Sequence, residues 1–204
     1  MYGHIGVGLL GLFILMIIPA GVDNTQEDAK FYGAAHLVVR DAAGNEVFEQ
    51  TIHNRLLDVG ENQIIDQVFT GGAALVADVD QISAICVTDV VAVAETDTAA
   101  TFSGANNGLT GTNHCHVTTP THPNDGTTVL GPETYTGGVD IGNDQTIRSI
   151  AICSNNGVAG DYVDCANAGA NAIAFAAIVT SAVQLAATET VDITYTFDLS
   201  SLND

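Results

Sequence analysis

The segment His114-Cys115-His116, followed by His122, contains side chains that commonly bind transition metals. On a β-strand, His114 and His116 would lie on the same face, and this imidazole pair together with His122 could hold Zn²⁺ or Cu²⁺. Asp125 could add an oxygen ligand. Cys115 would point to the opposite face, and a disulfide would prevent it from binding metal. The alternative interpretation is a polar loop or edge strand that is rich in His, Thr and Pro.

Two groups of acidic and amide side chains offer the oxygen ligands that Ca²⁺ prefers. One group is Asp78 with Asp80, and the other is Asp140 with Asn143 and Asp144. The sequence contains no twelve-residue EF-hand loop. Solvated turns are therefore the competing interpretation of both groups.

The sequence motifs of common enzymes are missing. There is no GxSxG nucleophile elbow, no HExxH metalloprotease motif and no phosphate-binding P-loop. No spacing connects a serine and a histidine to an acid, although a triad need not be visible in sequence. We therefore predict a non-enzymatic protein that has no catalytic residues and no cofactor beyond the metal ions considered above.

Four cysteines suggest two disulfides in an oxidising compartment, because they follow an export-type N-terminal segment. The favoured pairing is local. Cys153 and Cys165 bracket a loop rich in Gly and Asn, which leaves Cys86 to pair with Cys115. The alternative places Cys86 beside Cys153, since QISAICVTD and RSIAICSNN are similar and could form adjacent strands.

The overall charge excludes one class of partner. The chain has 24 acidic and 4 basic residues, which gives a formal net charge of −20. Such a surface repels a phosphate backbone, so nucleic acid is not an expected partner. The imbalance suits a protein that stays soluble in salt or lies among divalent cations.

Residues 5–22 form an apolar run without any charged side chain. As a helix, a run of this length would span about the hydrocarbon core of a bilayer. It lacks the basic stretch of a secretion signal, yet Pro19-Ala20-Gly21 would allow cleavage after Ala20. Removal, membrane anchoring and retention as an assembly core all remain open. We divide the chain into an apolar helix at 1–22, an acidic linker at 23–32 and a domain at 33–204.

The sequence pattern of the domain predicts strands and one helix. Asp58 is a candidate N-cap and Glu61 completes a capping box, while Gly71-Gly72 would end the helix. In the first two strands, period-2 spacing marks Ala35, Leu37 and Val39, and then Phe48, Gln50 and Ile52, as the buried face. Gly44-Asn45 supplies the positive φ angles of a hairpin turn between these strands. The predicted apolar stripe of the helix is Ile64, Ile65, Val68 and Phe69. The predicted strands are AAHLVVRD, EVFEQTIHN, ISAICV, CHVTT, TTVL, QTIRSIAIC, AIAFAAIVTSAVQLA and TVDITYTFDL.

The last predicted strand has the clearest alternation in the chain. Its apolar residues Val191, Ile193, Tyr195, Phe197 and Leu199 would face one way, and the polar residues between them would face the other. This pattern is typical of an antiparallel sheet with one buried face. The sum predicts a mainly β protein, an antiparallel β-sandwich of jelly-roll or immunoglobulin-like type with one short helix, preceded by the N-terminal apolar helix.

The order of these elements resembles that of β-sandwich proteins from phage and archaeal-virus tails. It is also similar to small secreted surface proteins of archaea that often carry an apolar N-terminal segment. The resemblance covers about residues 33–200 and depends on hydrophobic patterning in HNRLLDVGENQIIDQVF, ISAICV, IRSIAIC and AFAAIVTSAVQLAATETVDITYTFDLS. It implies a structural surface protein and brings no catalytic residue with it. The N-terminal segment and the four cysteines depart from the viral examples.

Three functions fit these observations. The first is a structural subunit of an extracellular filament or surface layer, which self-associates through its N-terminal segment by helix packing or by strand addition. The second is a virion component such as a tail, spike or capsid protein. The third is a membrane-anchored module that binds metal at His114 and His116 and contacts the membrane through residues 5–22. We expect the first, with an exported location at the cell surface.

Overall fold

The computed structural model describes residues 32–65, 81–104, 106–123, 126–155, 160–168 and 172–199. The predicted helix at 1–22 and nearly all of the linker at 23–32 lie outside these residues. The second half of the predicted internal helix, the pair Asp78 and Asp80, and Asp125 lie outside them as well. No helix within the described ranges is both long enough and apolar enough to cross a membrane.

The described chain is mainly β-structure with one short α-helix. The elements are β1 (Tyr32–Arg40), β2 (Glu46–His53), β3 (Arg55–Leu56), α1 (Asp58–Ile65), β4 (Ile82–Thr88), β5 (Cys115–Val117), β6 (Thr127–Thr136), β7 (Gln145–Ser154), β8 (Ala174–Leu185) and β9 (Thr190–Asp198). Short 3₁₀ turns occur at Ala99–Phe102 and Cys165–Ala168. The strands form two antiparallel sheets, in the orders β2-β1-β9-β6 and β3-β8-β7-β4-β5. This arrangement is consistent with the predicted β-sandwich.

The main core lies between the two sheets. Strands β1, β6 and β9 supply one side of it, and β4, β7 and β8 supply the other. Each fully buried aliphatic or aromatic side chain contributes about 1.5–3 kcal/mol through removal of apolar surface from water. The largest fully buried side chains in this cluster are Tyr135, Tyr195, Leu37, Ile85, Leu130, Ile141, Ile147, Ile150, Ile152 and Ile178.

The alternation predicted for the last strand is largely confirmed. Val191, Ile193 and Tyr195 of β9 are buried, and Phe197 packs against the edge of the core. Leu199 is 47% exposed, so its predicted inward orientation is wrong. The reason is that β9 ends at Asp198, one residue earlier than the pattern suggests.

The second sheet is covered on both faces. A separate apolar cluster lies on its outer face and includes Leu57, Phe102 and Tyr162 together with all four cysteines. Strands β4 and β7, and the first half of β8, are therefore buried on both sides. This burial explains why their sequences are nearly continuous apolar runs and do not alternate.

The helix begins one residue earlier than predicted. The carbonyl of Leu57 accepts the N–H groups of Gly60 at 2.8 Å and Glu61 at 2.9 Å, so Leu57 occupies the cap position assigned to Asp58. Asp58 is the first helical residue, and its backbone N–H donates to the carbonyl of Glu95 at 2.9 Å. Gly60 is required because any Cβ there would collide with the carbonyl of Phe175 in β8.

The turn between β1 and β2 is held by Asp41. Its Oδ1 accepts the backbone N–H groups of Ala43 at 2.9 Å and Asn45 at 2.8 Å. Hydrogen bonds from the side chain and backbone of Asn45 lower the pKa of Asp41. Gly44 has a φ of +84°, as predicted, whereas the positive φ predicted for Asn45 is wrong. The turn runs from Asp41 to Asn45, with the Gly44 N–H donating to the Asp41 carbonyl, and a turn of this length needs a positive φ only at the glycine.

Candidate functional site

His116 lies in β5, at the edge of the second sheet, and its ring is enclosed. The side chain is 9% exposed and stacks on Tyr135 of β6 with ring centroids 4.1 Å apart. The Tyr135 hydroxyl accepts the backbone N–H of His116 at 3.3 Å and donates to the carbonyl of Ile85 in β4. This phenol therefore joins β6 of one sheet to β4 and β5 of the other.

Three carboxylates surround the His116 ring. Its Nδ1 lies 3.8 Å from Glu133 Oε2, while its Nε2 lies 3.7 Å from Asp140 Oδ1 and 4.0 Å from Asp161 Oδ2. Neither ring nitrogen is within hydrogen-bonding distance of these oxygens. The ring therefore has a carboxylate near each of its two nitrogens.

His114 occupies a different environment. The residue is 3% exposed, and neither ring nitrogen forms a hydrogen bond within the described part of the chain. Burial lowers the pKa of His114 below its ordinary value of 6.5, although backbone groups of Thr110 and Val163 and the charge of Asp164 act in the opposite direction. We infer a neutral, structural imidazole.

The structure does not assemble the predicted metal ligands. His122 is exposed, and its Nδ1 lies 3.1 Å from the hydroxyl of Thr128. Asp140 Oδ2 accepts the backbone N–H of Thr136 at 2.7 Å, which holds that carboxylate in a turn. Among the described residues, no three His, Cys, Asp or Glu side chains are placed to hold one metal ion. His114, His116 and His122 therefore do not meet as a ligand set.

The cysteines form the local pairing that the sequence favoured. Cys86 of β4 is bonded to Cys115 of β5, and Cys153 of β7 is bonded to Cys165 of the second 3₁₀ turn. Cys115 is therefore a structural residue. The alternative pairing of Cys86 with Cys153 does not form, because the two residues are not opposite each other in the β4–β7 register. Cys153 lies opposite Ala84, and Cys86 lies opposite Ala151.

Two of the outer strand edges are each bridged at one residue by another part of the chain. On β6, Val129 exchanges backbone hydrogen bonds with Thr121, at 2.8 and 2.9 Å. On β5, Cys115 exchanges backbone hydrogen bonds with Tyr162, both at 2.9 Å. Covering an edge in this way prevents unwanted pairing with another chain.

The edge of β2 is different. Asn54 donates its backbone N–H to the carbonyl of Gly33 in β1. Counting back from Asn54, the N–H and C=O groups of every second residue of β2, Ile52 and Gln50, therefore also point toward β1. The N–H and C=O groups of Glu49 and Thr51 consequently point away from the sheet. This alternation ends at Phe48, because the register with β1 shifts between Phe48 and Glu46. No strand in the described ranges pairs with this side of the eight-residue strand.

Apolar side chains accompany this open edge. Val47 is 59% exposed and Phe48 is 38% exposed, although the period-2 pattern predicts that Phe48 faces the core. Opposite Phe48, β8 contains a bulge at which Ala182 has a φ of +45°. The bulge leaves a groove of about 270 Å³ between the two sheets, whose lining includes Phe48, Val183 and Glu189. We call β2 and this groove the open edge.

The open edge could not be found from sequence alone, because the period-2 pattern does not reveal whether a strand is central or peripheral. The glutamates in EVFEQ were the available signal, since charged residues often mark an edge strand. The structure thus defines a class: a mainly β, disulfide-bonded protein with two facing antiparallel sheets and, within its described part, an uncovered edge at β2. Comparisons of the chain with protein-family models, curated proteins and solved structures give no match.

Proposed function

We propose that this protein is a non-enzymatic structural subunit of an extracellular filament or surface layer. The observation that carries the proposal is the open edge, where an eight-residue strand presents backbone groups beside the exposed side chains of Val47 and Phe48. A monomeric protein normally covers or shortens such an edge, because it promotes association with other chains. An open edge is therefore typical of a protein that associates with other chains.

Two further features support an extracellular structural role. The two disulfides are consistent with an oxidising environment, where they persist. They also fasten β5 and the second 3₁₀ turn to the central strands, which would help a subunit to resist mechanical or thermal stress. The jelly-roll or immunoglobulin-like assignment remains part of this proposal. The sequence leaves two alternatives, a virion component and a membrane-anchored metal-binding module. No feature of the described residues favours either.

Sedimentation of the full-length chain tests the proposal, with negative-stain imaging of the pellet. We expect regular polymers from the wild-type protein and much less pelleted material from Val47→Lys. The matched control is Val91→Lys, because Val91 is a similarly exposed valine at 68% in the loop after β4, where its neighbours Val90 and Val93 pack on the outer face of the second sheet. Monomeric wild-type protein, or equal polymer from both variants, would contradict the proposal.

A further inference from the structure

We propose that the open edge binds residues 5–18 of a neighbouring copy as an added β-strand, with their apolar side chains in the groove beside Phe48. This inference rests on the proposed function and names the partner of the open edge. It selects strand addition over helix packing as the role of the N-terminal segment in the polymer.

The backbone of β2 supplies the first argument. Glu49 and Thr51 direct their N–H and C=O groups outward, so an incoming strand can continue the sheet along this part of the edge. The first sheet would then have five strands instead of four. Strand addition of this kind takes its affinity from main-chain hydrogen bonds and its specificity from pockets for alternate side chains.

The side chains of the segment supply the second argument. Ile5, Val7 and Leu9 alternate with Gly6 and Gly8. In an added strand, alternate residues point to opposite faces. The three apolar side chains would therefore enter the groove between the sheets, and the two glycines would lie on the outer face.

Charge supplies the third argument, because it separates this segment from another candidate occupant. Residues 1–22 contain no Asp, Glu, Lys or Arg, so the whole net charge of −20 belongs to the rest of the chain. Pairing β2 with β2 of a second copy would bring two strongly acidic domains edge to edge. An uncharged segment joins two copies with less electrostatic repulsion.

Length supplies the fourth argument. The segment 5–18 is longer than the eight-residue edge that it would cover. Residues 19–31 connect it to β1 and, when extended, can span roughly 40 Å. This exceeds the length of β2, about 27 Å at the usual rise of a strand. The connection is therefore long enough to reach an adjacent copy.

Photo-crosslinking in the assembled full-length protein tests the partner. A photoreactive amino acid replaces Val47 in protein made from a mixture of ¹⁴N- and ¹⁵N-labelled chains, and mass spectrometry identifies the linked peptides. We expect cross-links to residues 5–18 that join light and heavy chains. The same amino acid at Val91 is the control and should give no cross-link to this segment. Cross-links to β2 of another copy, to residues 5–18 of the same chain only, or to neither would each overturn the proposal.

A proline variant tests the hydrogen bonding. Thr51→Pro removes an outward N–H that β1 does not use, and proline is tolerated on an edge strand at such a position. We expect the variant to fold, with unchanged circular dichroism, but to need about tenfold more protein to polymerise. Thr51→Val keeps the N–H and should polymerise as wild type does. Equal polymerisation of Thr51→Pro and wild type would overturn strand addition and leave the proposed function standing, whereas failure of wild type to polymerise would remove both.

Discussion

Alkaline pH is expected to unfold this protein because three tyrosines are buried as neutral phenols. Tyr135, Tyr162 and Tyr195 are 0%, 3% and 1% exposed. Burial raises the pKa of all three above the ordinary value of 10.0, and that of Tyr135 is raised well above it. The hydroxyls of Tyr135 and Tyr162 donate to the carbonyls of Ile85 and Ser154, bonds that only the protonated phenol can make.

The magnitude follows from proton linkage. Above pH 10 the unfolded chain loses these protons while the folded chain keeps them, so the free energy of unfolding decreases as the pH rises. Each tyrosine contributes a slope of about 1.4 kcal/mol per pH unit once it is ionised in the unfolded state. Together the three phenols should remove about 4 kcal/mol by about pH 11, which is close to the whole stability of a marginal domain. Below about pH 9 they should have no effect.

Denaturant unfolding followed by circular dichroism, at about pH 8 and about pH 11, measures this loss of stability. Of the five tyrosines in the chain, these three should contribute tyrosinate absorbance, recorded in parallel, only as the β-structure disappears. Tyr162→Phe removes one titrating group and should reduce the slope by about a third. The reasoning would be refuted if all the phenols ionised near pH 10 in a chain that retained its β-sheet spectrum.

The remaining predictions concern the core, a disulfide and metal content. Tyr195→Asp should prevent folding, because an uncompensated carboxylate would be buried, whereas Thr194→Asp on the opposite face should keep the native circular dichroism spectrum. Replacing Cys153 and Cys165 together by alanine should lower the free energy of denaturant unfolding by about 3 kcal/mol, given a loop separation of 12 residues; an unchanged midpoint would contradict this. Elemental analysis of native protein should find well under one zinc or copper ion per chain, and a stoichiometric metal would contradict the described geometry.

Local sequence patterns predicted the strands well where one face of a sheet is buried. The alternation in β9 identified Val191, Ile193 and Tyr195 as core residues because a strand presents alternate side chains to one face. The apolar runs of β4 and β7 identified strands too, but not the reason for their burial on both faces. That reason is a second apolar cluster, which loops and disulfides form on the outer face of the sheet.

The His116 cluster and the open edge could not be predicted from local patterns, because they depend on strand order and on residues distant in sequence. The carboxylates of Glu133, Asp140 and Asp161 meet at His116 only because β6 and two loops converge on β5. Phe48 has the period of a core residue, yet the bulge in β8 leaves it at the open edge. Neither the convergence nor the bulge has a signature within one segment of the chain.

Electron microscopy of native material, purified without detergent from its source, tests the central claim most directly. Our account predicts regular filaments or sheets whose repeating unit contains the two-sheet domain, with density for a fifth strand beside β2. N-terminal sequencing of the same material should show that residues 5–18 are retained. Isolated single-chain particles that still carry these residues would contradict the account.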